Sequence, residues 1–100
     1  MARKFDETVR KIADRIADGR IILTERVRQG RKRNISVGPY RTATSSKRQY
    51  AMCTLPALPG SDDCQVSLNP NRVAKQFVRL VGTDNAQNAL VRESQKRHGR

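Results

Sequence analysis

Arg26, Arg28, Arg31, Lys32 and Arg33 fall within eight positions, and Arg41, Lys47 and Arg48 follow beside Tyr40 and Tyr50. Guanidinium groups donate paired hydrogen bonds that match phosphate oxygens, and ammonium groups act as point charges on the same target. Cations interleaved with aromatic rings suit a nucleic-acid strand, with phosphates on the cations and bases stacked on the rings. The chemistry this cluster offers is therefore phosphate binding. The whole chain agrees: 21 Lys+Arg oppose 9 Asp+Glu in 100 residues, a formal charge of +12. Solubility alone requires no such one-sided balance, so the expected partner is nucleic acid, DNA or RNA, ahead of an acidic protein surface.

Other chemistries find few residues. Cys53, Cys64 and His98 cannot complete a four-ligand zinc site. A disulfide closing the Leu55–Asp63 loop is conceivable, but the N-terminus carries no secretory pattern, and reduced thiols in a cytoplasmic setting are the expectation. His98 lies in a charged tail, Asp62 and Asp63 sit in a proline-rich loop, and no glycine-rich phosphate loop occurs. Catalytic residues, metal, cofactor and small-molecule substrate are all expected to be absent. The longest apolar run, Ile21-Ile22-Leu23, is far short of the roughly 18 residues of a membrane span, so no membrane partner is expected.

These side chains need elements to position them. Phe5, Val9, Ile12 and Ile16 recur at four-three-four spacing, the apolar stripe of an amphipathic helix, with Asp6 four before Arg10 and Glu7 four before Lys11 on its surface. Leu23 and Val27 rejoin that stripe, so the helix is read as continuing to Gln29 and ending at Gly30. The competing reading makes residues 20–28 a strand, because Ile21, Leu23 and Val27 alternate and Asp18-Gly19 is a hairpin-type dipeptide. Ile35 and Val37, then Tyr50, Met52 and Thr54, form an antiparallel hairpin, with Gly38-Pro39 expected to bulge or end its first strand. Residues 55–63 read as loop, and Cys64–Leu68 as a possible third strand.

Asn69 followed by Pro70 marks a helix start, with Val73, Ala74, Phe77, Leu80 and Val81 as its buried stripe. Asp84 and Gln87 begin a last helix carrying Ala86, Ala89, Leu90 and Val91. Over about 20 of the 100 residues this pair resembles the helix-turn-helix DNA-binding family, with Gly82 in the turn and Phe77, Val81 and Val91 at apolar positions. It differs from that family at Val78 and Asn88. The resemblance implies that Asn85, Gln87, Asn88, Arg92 and Gln95 face base edges.

The expected architecture is α+β in a single small domain, 1–100. A basic N-terminal helix spans 1–29, short strands in a hairpin or three-stranded sheet with a Pro-rich loop fill 34–68, and two helices occupy 70–97. The expected role is non-enzymatic nucleic-acid binding, in a nucleoprotein assembly or as a small DNA-binding regulator, by Arg26, Arg28, Arg31, Lys32, Arg33, Arg41, Lys47, Arg48, Asn88 and Arg92. The alternative is a structural subunit of a phage virion or other particle that meets an acidic neighbour or the packaged genome. With only 21 Leu, Ile, Val and Phe to build a core, stability is expected to lean on a homo-oligomer or larger assembly.

Overall fold

The N-terminal stripe folds as anticipated but ends early. In the computed structural model, which describes residues 2–40, 47–55 and 64–98, helix α1 spans Ala2–Ala17 and buries Val9, Ile12, Ala13 and Ile16. Its surface ion pairs are not the local ones expected from Asp6–Arg10 and Glu7–Lys11; Lys4 instead reaches Asp84 at 3.5 Å.

A Schellman cap terminates α1. The Gly19 N–H donates to the Ile16 carbonyl at 3.0 Å and the Arg20 N–H to the Arg15 carbonyl at 3.1 Å, with Gly19 at φ 91°. That left-handed geometry is cheap only for glycine, so Gly19 stops the helix. The reading of a helix continuing to Gln29 is thus corrected. Residues beyond the cap alternate between faces, with Ile22 and Thr24 buried and Leu23 and Glu25 exposed, and they form strand β1, Ile22–Arg28. Asp18-Gly19 is the helix cap, not a hairpin turn.

The hairpin turn lies at Gln29 and Gly30, both at positive φ, 54° and 74°. Two consecutive left-handed residues define the type I′ turn, whose twist matches that of the strands it joins. Strand β2, Arg31–Tyr40, returns antiparallel, followed by β3, Gln49–Leu55, and β4, Cys64–Ser67. The sheet has four strands in the order β1-β2-β3-β4, each antiparallel to the next. The fourth strand beyond the expected three is β1. Gly38-Pro39 does not end β2, which pairs with β3 as far as Tyr40↔Gln49. Because β1 starts at Ile22 opposite Val37, Pro39 has a neighbouring strand on one side only, where a missing N–H is tolerated.

Cys53 and Cys64 are directly opposite in the β3–β4 register, with Cα atoms 4.1 Å apart, and a disulfide joins them. The expectation of reduced thiols is corrected: pairing of two short strands, invisible in a spacing of eleven positions, sets the cysteines side by side.

Helix α2, Pro70–Val81, starts where Asn69 and Pro70 indicate, the Asn71 N–H donating to Asn69 Oδ1 at 2.9 Å. It buries Val73, Ala74, Phe77, Val78 and Val81, so Val78 takes a core position and Leu80 only a peripheral one. Full burial of Phe77 contributes on the order of 1.5–3 kcal/mol. Gly82 alone separates α2 from α3, Thr83–His98, which buries Ala86, Ala89 and Leu90 and leaves Val91 outside. The helices cover one sheet face, against Ile22, Thr24, Ile35, Val37, Tyr50 and Met52. The other face carries Leu23, Ser36, Cys53, Cys64 and Val66, with Leu23 and Val66 exposed.

Candidate nucleic-acid interface

Strand alternation sorts the basic residues that the sequence crowds together. Ile22 and Thr24 lie on the helix-covered face, so positions 26 and 28 continue that face towards the turn, as positions 33 and 31 do on β2. The register opposes Arg26 to Arg33 and Arg28 to Arg31 directly. Four arginine positions in two cross-strand pairs thus share one face of the β1–β2 ribbon, on the turn side of the buried pair Thr24↔Ile35.

Arg26 is half-buried and Arg33 exposed. Like charges directly opposite each other destabilise a sheet, so this arrangement is a local conflict. Acidic partners do not resolve it: among the described residues, no ion pair involves Arg26, Arg33 or Arg92. Glu25 lies on the opposite face and pairs with Lys32 at 3.2 Å. Lys32 therefore leaves the arginine face although it sits between Arg31 and Arg33 in sequence.

Helix α3 brings a fifth cation. The Arg92 guanidinium donates through Nη2 to Thr24 Oγ1 at 3.1 Å, and Thr24 is two residues before Arg26 on the same face. Asn88, one helical turn before Arg92, is exposed. The structure thus places Arg92 and the ribbon on one surface, a link nothing in the sequence announces.

A second group missed in the sequence holds α3 in place. Arg15 donates to Glu93 Oε1 at 2.9 Å, to the Leu90 carbonyl at 3.0 Å and to Ser94 Oγ at 2.7 Å. Arg20 reaches the same carboxylate at 3.8 Å. The Schellman cap is what puts Arg15 and Arg20 together, since it joins their backbones. Glu93, only 10% exposed, is thereby committed to Arg15 and Arg20, and no ion pair among the described residues links it to Arg26, Arg33 or Arg92.

The remaining candidate residues lie elsewhere. Arg48 donates to the Ala17 carbonyl at 3.3 Å, satisfying the C-terminus of α1. Lys47 and Arg48 flank the start of β3, at the opposite end of β2 from the arginines. The nine residue steps of β2 separate the two ends by roughly 30 Å. Arg41 lies outside the described residues. Tyr50 is buried in the core at 5% exposure and Tyr40 is half-buried at the far end, so neither ring accompanies the arginine ribbon.

The residues tied to the helix-turn-helix resemblance divide between the fold's interior contacts and its surface. Asn85 donates to the Val81 carbonyl at 2.7 Å and Gln87 to Thr8 Oγ1 at 3.3 Å, so both are engaged within the fold, and Val91 is exposed instead of apolar core. Of the residues the resemblance assigns to base edges, Asn88, Arg92 and Gln95 remain on the surface.

Among the described residues no group of three or more His, Cys, Asp or Glu side chains converges. No helix among them is long and apolar enough to cross a membrane. No family model, no curated protein and no solved structure matches this chain.

Proposed function

We propose that the chain binds nucleic acid non-catalytically, through phosphate contacts made by Arg26, Arg28, Arg31 and Arg33 of the β1–β2 ribbon together with Arg92 of α3. The observation that carries this reading is the direct opposition of Arg26 to Arg33 and of Arg28 to Arg31 without an acidic partner for the described members. Folding places like charges together at a cost, and an anion with many negative groups removes that cost on binding. Each phosphate neutralised on a duplex adds about 0.9 to the slope of log affinity against log salt, so five contacts correspond to a slope near −4.5.

The test is binding of fluorescent nucleic acid at about 50 and 200 mM salt by wild type and by the double variant Arg26→Ala, Arg33→Ala. The double variant is expected to bind all sequences more weakly and to reduce the slope by about 1.8. An unchanged slope removes these two residues from the interface.

One observation favours a second reading, a subunit of a particle or other assembly. Among the described residues no helix covers the outer sheet face, and although Ala51 is buried there, Ile21, Leu23 and Val66 are 62%, 45% and 44% exposed. A defined mass many times that of one chain in light scattering supports that reading; a monomer at all concentrations removes it.

A further inference from the structure

Resting on the nucleic-acid reading above, the ribbon's shape narrows the ligand. We infer that the β1–β2 hairpin lodges in the major groove of double-stranded B-form DNA, with arginines of its two strands directed to the two phosphate walls and α3 lying along one of them.

Three features point this way. The arginine positions lie on both strands of the ribbon, opposed in pairs, so along the backbone they form two parallel columns about 4.8 Å apart. A single strand offers one line of phosphates, which one column already matches. A groove bounded by two strands offers two lines, and the major groove, about 12 Å wide, admits a two-stranded ribbon. Second, single-strand binding relies on rings that stack with bases. Among the described residues the aromatic side chains are Phe5, Tyr40, Tyr50 and Phe77, and none belongs to the hairpin beyond Thr24↔Ile35. Third, among the described side chains the ribbon's last buried pair is Thr24 and Ile35, Lys32, Arg33 and Asn34 are exposed beyond it, and the type I′ turn at Gln29-Gly30 makes a narrow tip of two exposed residues. The major groove of A-form RNA is deep and too narrow for side chains to read, so duplex RNA does not supply the same seat. Arg92, anchored to Thr24, then stands beside the wall nearest β1, with Asn88 one turn away on the same exposed side of α3.

The experiment compares one 20-base-pair sequence as duplex DNA, single-stranded DNA and duplex RNA at about 50 and 200 mM salt, and probes the DNA complex with dimethyl sulfate. This reagent methylates guanine N7 in the major groove and adenine N3 in the minor groove. The inference expects duplex DNA to bind at least tenfold tighter than the other two, guanine N7 to be protected and adenine N3 to stay reactive, and Arg26→Ala, Arg33→Ala to abolish that protection. Equal binding of single strands or duplex RNA, or protection of adenine N3 alone, overturns the groove assignment and leaves phosphate binding standing. No salt-dependent binding to any of the three overturns both.

Discussion

Replacing Arg33 with Gln is expected to make the protein more stable and, under the proposed function, to weaken binding to nucleic acid. Arg33 is exposed and directly opposite Arg26, and no ion pair among the described residues offsets either charge. Directly opposed like charges on neighbouring strands repel by about 0.2–1 kcal/mol, a range that includes the roughly 0.5 kcal/mol of two unit charges about 8 Å apart in water. Half-burial of Arg26 lowers the effective dielectric and pushes the value towards the upper end. For a chain of this size 0.5 kcal/mol corresponds to a Tm rise of about 2–4 °C. The assay is thermal unfolding at 0.01 M and 1 M salt, where the screening length falls from about 30 to about 3 Å. Any cation removed from a +12 chain relieves some general repulsion, so Arg10→Gln, on the exposed face of α1, is the control. Arg33→Gln should exceed Arg10→Gln at low salt, and the difference should vanish at 1 M. If Arg33→Gln gains no more than the control, or lowers Tm, the opposed arginines do not repel and the argument from register fails.

Other perturbations probe the parts that hold the ribbon. Glu93→Gln removes the carboxylate shared by Arg15 and Arg20; a loss of about 1–3 kcal/mol is expected in urea unfolding, and a change within error means that the Arg15 contacts to Leu90 and Ser94 suffice. Gly19→Ala forces a side chain into left-handed backbone at the α1 cap and should cost about 1–2 kcal/mol, read as a lower midpoint with an unchanged urea slope. Reducing the Cys53–Cys64 disulfide, or replacing both residues with Ser, opens a closed loop of eleven positions and should cost about 3 kcal/mol. The same Tm with and without reductant would show that β4 is held by its backbone pairing alone.

Local signals reported their elements well wherever one residue type has one physical use. Asn69-Pro70 marked the start of α2 because an acceptor side chain and a missing N–H fit only a helix entry, and the 3.6-residue stripe of Val9, Ile12 and Ile16 lies buried as its period requires. Residues 20–28 were ambiguous because Leu23 and Val27 extend the helical stripe and, with Ile21, also satisfy an alternating strand. Gly19 decides locally, but its effect as a cap depends on Arg20 closing back onto Arg15, and Gln29 is not a residue that advertises positive φ. The stripe of α3 misled at Val91 for another reason: α3 packs between α1 and β1, and that placement determines which of its neighbouring faces is covered.

The basic character of the chain, its mixed α and β content and the clustering of arginines between positions 26 and 33 are properties of composition and short-range spacing, and were legible without coordinates. Which of those arginines share a face was not, because in a strand a shift of one residue reverses every side chain and in a helix the same residues spread around an axis. Strand register set Arg26 against Arg33, sent Lys32 to Glu25 on the far side and moved Lys47 and Arg48 to the opposite end of the sheet. Long-range packing delivered Arg92 to Thr24 across 68 positions of sequence and brought Cys53 within bonding reach of Cys64. Charge is a sum over residues and survives any rearrangement of the chain; a surface is a set of distances, and those arise only when the strands pair and the helices settle on them.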